Sequence, residues 1–169
     1  MTPPAPSPRG LLDVERFIVP RPILASAVRV VADAGRDGNE CFVVFGGQLN
    51  TSARVLTFSS ALLPAQTAHR TPLGLLVTVE GRALFEVNRA LRERGEILAA
   101  QLHAHPTDAF HSDTDDRRPL ATLLGALSIV VPDFARHGLT AADRWAWFRL
   151  FGPCDWRPIR PEGLVEVTG

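Results

Sequence analysis

Ile97-Leu98-Ala99-Ala100-Gln101-Leu102-His103-Ala104-His105-Pro106 is a short apolar run that closes on two histidines and a proline. It holds no glycine and no proline before its end, so the pattern predicts a buried strand running into His103. Residues i and i+2 of a strand share a face, and His103 and His105 therefore present their imidazoles side by side. Pro106 stops the ladder because it has no N–H to donate. A polar loop then leads to Ser112-Asp113-Thr114-Asp115, a Ser-x-x-Asp pattern ahead of a helix expected to start near Pro119.

Two imidazoles and a carboxylate so close together form the donor set of a divalent transition metal. Asp115 is placed to swing back as the third ligand beside His103 and His105. Three protein ligands leave the fourth tetrahedral position of one Zn2+ open, which separates a hydrolytic site from a closed structural one. Hydrolysis also needs a base that passes a proton to the leaving group. Glu40 is the candidate, because Gly38-Asn39-Glu40 stands at the mouth of the apolar run Cys41-Phe42-Val43-Val44-Phe45, which is expected to end at Gly46-Gly47. A carboxyl group at the end of a buried strand has its pKa raised toward that task. Ser112 is the candidate oxyanion donor. The Ser112-x-x-Asp115 spacing has a second, purely structural reading as a helix capping box.

Glu40, His103-x-His105-Pro106 and Ser112-x-x-Asp115 together resemble the signature of the JAB/MPN metalloproteases, also called the JAMM family. The resemblance extends over roughly residues 20–156, through a helix before Glu40, the strand after it and a later core strand at Ser128-Ile129-Val130-Val131-Pro132. It implies cleavage of isopeptide or peptide bonds after the C-terminal tail of ubiquitin or a ubiquitin-like protein. Ala104 departs from the Ser or Thr usual between the histidines, and the loop from Pro106 to Ser112 is shorter than in eukaryotic members. Asp113 and Asp116 flank the last ligand, and the Ser-x-x-Asp spacing selects Asp115.

A lone catalytic domain of this kind resembles the prokaryotic members that accompany ubiquitin-like, E1-like and E2-like proteins, some of them in defence against phage. The expected partner is thus a ubiquitin-like protein or its conjugates. The sulfur-carrier branch, which trims a C-terminal residue from a small carrier protein, is the alternative. A non-catalytic scaffold is the third reading, against which stands the full set of Glu, His, His, Ser and Asp.

The rest of the chain reads as a single α/β domain, a mixed β-sheet flanked by helices with the zinc site at the sheet edge. Helices are expected over residues 22–34, 81–94 and around 120–124, and strands over 41–45, 54–59, 75–79, 97–102, 127–131 and 145–151. Residues 1–10 read as a disordered Pro-rich arm and 11–169 as the domain, with residues 61–72 as a loop long enough to contact substrate. At 169 residues and 46% hydrophobic content, the chain is long enough for one sizeable core. Its formal net charge of zero provides no basic field for nucleic acid.

No signal peptide and no bilayer-spanning run is evident, and a cytoplasmic location follows as the simplest expectation. Cys41 and Cys154 lack any paired spacing, so a Cys-His protease is not supported. All 18 basic residues are arginine, with no lysine and no tyrosine, as a GC-rich genome produces. A lysine-free chain would also escape conjugation by the machinery it serves. His111 is read as a solvated loop residue or as a donor to substrate or to the groups around the metal ligands, and His69 and His137 as structural. Trp145, Trp147 and Trp156 read as core, and Arg157 and Arg160 as parts of a solvated Pro-rich tail.

Overall fold

The computed structural model describes residues 9–169. The arm expected at residues 1–10 lies outside the described residues as far as position 8, whereas Leu11 already donates its amide to the Leu124 carbonyl. The chain runs through β1 (Arg16–Pro20), α1 (Arg21–Arg36), β2 (Phe42–Asn50), β3 (Val55–Leu62), β4 (Thr67–Thr71), β5 (Gly74–Thr78) and α2 (Gly81–Glu93). It continues through β6 (Ile97–Ala104), α3 (Asp113–Arg117), β7 (Leu127–Val131), β8 (Ala146–Gly152), β9 (Asp155–Ile159) and β10 (Val165–Thr168). Eight strands form one mixed sheet in the order β10-β1-β3-β2-β6-β7-β8-β9, and β4 and β5 form a separate hairpin.

Pattern explains the two long helices. Leu24, Ala27, Val28 and Val31 recur at helical spacing and are buried, with Pro22 in the first turn where its missing N–H costs nothing. Val87 and Leu91, one turn apart, are the buried residues of α2. Alternation along β2 assigns the helices to opposite faces: Val43 and Phe45 join the core under α1, and Val44 joins Val87 and Leu91. Trp145 and Trp147 belong to the α1-side core, as the sequence indicated. No helix among the described residues is long and apolar enough to cross a membrane.

Several expectations are corrected. The strand after Glu40 does not stop at Gly46-Gly47; β2 passes through them with a bulge and reaches Asn50. A Cβ at Gly46 would collide with Leu91, Ser60 and the Glu96 carboxylate, so the glycine allows a close approach and does not mark a turn. Residues 61–72 are not a plain loop: β3 runs to Leu62 and residues 67–71 pair with β5. Every residue of β4 is exposed, so it lacks the apolar alternation by which strands are recognised.

The expected helix around 120–124 is absent, and the helical turn lies earlier, at α3. The Leu120 and Ala121 amides donate to Gln101 Oε1 at 2.8 and 3.1 Å, and at the far end Leu124 O accepts from Leu11 N and Gly125 N donates to Leu150 O, so the segment is bonded to its neighbours and not into its own helical ladder. Arg157 lies in β9, paired with Arg149, and not in a tail.

The strand carrying the histidines, β6, is interior to the sheet and not at its lateral edge. It pairs antiparallel with β2 and parallel with β7. Parallel neighbours need a long crossover, because the chain must return to the same end before pairing again. Residues 105–126 make that crossover, and they return Ser112 and Asp115 over the end of β6.

Candidate metal centre

His103 is the penultimate residue of β6, and His105 follows it in extended backbone, its amide bonded to the Val131 carbonyl at 2.9 Å. The crossover brings Asp115 to both. His103 Nε2 and His105 Nε2 stand 3.0 Å apart, Asp115 Oδ1 is 3.3 Å from His103 Nε2, and Asp115 Oδ2 is 3.5 Å from His105 Nε2. All three side chains are buried and each offers one donor atom to a common point. A tetrahedral ion with bonds of about 2.0–2.1 Å spaces its donors by about 3.3 Å, close to the separations seen here. The residues fit a divalent metal.

Protonation agrees with that fit, since ligands must offer lone pairs. Burial holds His103 below its ordinary pKa, outweighing the Asp115 carboxylate beside it, so the imidazole is neutral. Burial alone would raise Asp115, but the His103 and His105 rings beside it and the hydrogen bond from the Ser112 amide hold it well below the usual carboxylate range. His103 Nδ1 finds no hydrogen-bond partner among the described residues. The ring is instead oriented by Phe42, stacked on it at 4.5 Å.

Ser112 and Asp115 serve both readings of their spacing. Asp115 N donates to Ser112 Oγ at 3.2 Å, while the Ser112 amide and hydroxyl both donate to Asp115 Oδ2 at 2.7 Å. This reciprocal capping box shapes α3, and it leaves Asp115 Oδ1 to face His103.

Glu40 lies between α1 and β2, half-buried. Burial pushes its carboxyl up to about 7, against lowering by His105 and a further rise from Asp115. Glu40, Ser112 and Asp115 line the same cleft of about 240 Å³, together with Leu73, Leu75 and Val77 of the hairpin. The structure thus brings all five predicted residues together. A larger cleft of about 580 Å³ between residues 62–67 and α2 contains none of them.

Three supports were not evident in the sequence. Gln66, at the base of the hairpin, accepts from Phe42 N at 2.7 Å and donates to Phe42 O at 2.9 Å, so a side-chain amide pins the hairpin beside Glu40. Asp133, Phe134 and Ala135 all have positive φ, 56°, 52° and 56°. Such backbone is strained for residues with a Cβ, and here it docks the ligand segment: Phe134 N donates to His105 O at 2.7 Å and Asp133 N to Thr107 O at 2.8 Å. The third is the place of His111, whose side chain is nearly out of solvent and so not that of a solvated loop residue. His69 is exposed on β4, and His137 stands 3.6 Å from Asp133; neither approaches the centre. The Cys41 thiol is buried and raised to about 11, and Cys154 is exposed on a turn, so neither suits a nucleophile.

No protein-family model matches the chain. It is 34% identical over 158 residues to a protein of Sinorhizobium fredii named "Probable metalloprotease y4jG", an alignment spanning 94% of this chain and 96% of that one. The alignment therefore runs through β2, β6 and the crossover, the elements that build the centre. With a His-His-Asp cluster beside a half-buried glutamate, the chain belongs to the same metalloprotease family as that rhizobial protein.

Proposed function

We propose that the chain is a zinc peptidase of the JAB/MPN type that cleaves after the C-terminal tail of a bacterial ubiquitin-like protein, in deconjugation or precursor processing. Its working partners would be the E1-like and E2-like proteins of one conjugation system, with antiphage defence as the setting. The observation that carries the reading is the shared cleft, lined both by Glu40, Ser112 and Asp115 and by a half-buried strand.

His103, His105 and Asp115 would hold the zinc, which when bound supplies Lewis acidity toward a scissile carbonyl and acidifies water. Glu40 takes the proton of the attacking water on its carboxylate and returns it to the leaving amine. Its raised pKa suits both directions of transfer near neutral pH. Ser112 Oγ, released from Asp115, would donate to the oxyanion. The tail would lie extended along β5, whose main chain pairs only with β4 among the described residues, so main-chain hydrogen bonds would carry affinity.

Arg118 favours a second reading. It lines the same cleft and is exposed, and it forms no ion pair among the described residues, which would suit the free carboxylate of a C-terminal residue being trimmed from a carrier protein.

The test is cleavage of a ubiquitin-like protein, C-terminally extended or linked to a target lysine, by zinc-loaded wild type and Glu40→Ala. Wild type should cut after the tail. The variant should keep its zinc and lose at least about 100-fold in rate. Near wild-type turnover by Glu40→Ala refutes the base, and release of only a terminal residue selects the trimming reading.

A further inference from the structure

His111 sits beside the centre without facing its cleft. Its side chain is 5% exposed, with Nδ1 2.8 Å from Asp116 Oδ1 and Nε2 2.8 Å from Ser128 Oγ. Ser128 Oγ lies 3.2 Å from Gln101 Nε2, and Gln101 Oε1 accepts the Leu120 and Ala121 amides. Those two amides fix the orientation of the Gln101 side chain, and every proton then follows. Gln101 donates to Ser128, Ser128 donates to His111 Nε2, and His111 Nδ1–H donates to Asp116. Each donor and acceptor of the chain is matched in this way.

The bonding pattern Asp116–His111–Ser128 is that of a nucleophile, base and orienting acid. Chemistry by Ser128 is excluded by its position: it is fully buried in β7 and hydrogen-bonded to Gln101. The His111 ring is held on both sides, stacked on Phe148 at 4.2 Å and edge-on to Trp156 at 5.3 Å.

We propose that His111 is a positioning residue that fastens the ligand turn 112–117 to strand β7, and so decides where Asp115 and Ser112 stand relative to the two histidines. The capping box cannot do this, because its bonds lie within the turn and fix its shape alone. Asp116 is the turn residue that reaches the sheet through His111. Gln101, in register with Ser128, lies two residues before His103 on β6, so the same network joins the ligand strand to the ligand turn. Partners that orient ligands from behind are worth about 10- to 100-fold in metal affinity.

The inference rests on the metal-centre reading above, and its test separates the two. Zinc affinity is measured by competition with a chromophoric chelator, and the cobalt(II) absorption spectrum is recorded, for wild type, His111→Ala, Ser128→Ala, Asp116→Ala and Asp116→Asn. Amide hydrogen exchange of the metal-free proteins reports anchoring without any metal. His111→Ala, Ser128→Ala and Asp116→Ala should weaken zinc binding by about 10- to 100-fold, alter the cobalt spectrum and speed exchange in residues 112–117, while β6 and β7 stay protected. Asp116→Asn keeps the acceptor for His111 Nδ1–H and should restore affinity, spectrum and protection.

Wild-type affinity and spectrum in His111→Ala would overturn the proposal, as would Asp116→Asn failing as Asp116→Ala does. If His111→Ala does not fold, Ser128→Ala and the two Asp116 variants decide. If wild type binds no zinc, the metal reading falls, and the anchoring stands or falls on the exchange of residues 112–117.

Discussion

At the residue scale, burial acts on Glu40 and His103 with opposite results. It favours the protonated carboxyl of Glu40 and the deprotonated imidazole of His103, since both are the uncharged forms. The consequence for metal-free protein is a stability that depends on pH with two competing signs. Between 4.5 and about 7 the folded state holds a proton on Glu40 that the unfolded state has released, so the Glu40 contribution is complete below 4.5 and lost as pH rises through about 7. His103 has the reverse effect, since the unfolded chain binds its proton first and stability rises with pH toward the ordinary histidine range. Glu40→Gln isolates the first effect. The melting temperature of chelator-treated wild type should fall relative to Glu40→Gln as pH goes from 4.5 to 7, and a flat difference would show that Glu40 titrates as an ordinary carboxyl.

At the element scale, β2 carries the helix α2 close against its bulge, and Gly46 is what makes that distance possible. Gly46→Ala should cost about 1–3 kcal/mol by overpacking. That is a drop of roughly 2–4 °C per kcal/mol in a chain of this size, read by thermal melts with zinc removed. The two long helices, the strand into His103 and the strand at 127–131 were legible in the sequence because burial on one face imprints a period of 3.6 or 2 on the apolar residues. The hairpin strand β4 was not, since Thr67-Ala68-His69-Arg70-Thr71 faces water throughout and carries no imprint. Leu120 to Leu124 misled in the other direction. Its leucines suit a helix, but its amides are held by Gln101, a bond that depends on a residue about twenty positions away.

At the scale of the whole molecule, the centre ties an interior strand to the crossover that follows it. Metal binding to the folded state alone should therefore stabilise the chain globally. With free zinc at a thousand times its dissociation constant the gain is about 4 kcal/mol. That corresponds to a rise of roughly 8–16 °C in melting temperature. His103→Ala should remove the response, and an equal zinc-induced shift in that variant would place the metal elsewhere. The left-handed turn at Asp133–Ala135 acts at the same scale, because it sets the end of β7 against the His105 segment while Asp133 is held by Arg144 at 2.8 Å.

The sequence by itself determined the kinds of ligand and the two local spacings, His-x-His and Ser-x-x-Asp. Each is a property of one strand or one turn, and strand alternation or capping geometry follows from neighbouring residues alone. Tertiary structure decided the rest. That Asp115 meets the histidines depends on β6 and β7 being parallel neighbours, and that Glu40 shares their cleft depends on β2 lying beside β6. The same long-range register made His111, which the sequence left open as a solvated residue or a donor, the link between Asp116 and Ser128. Sheet order is set by the total burial of both faces, so no short window of the chain contains it.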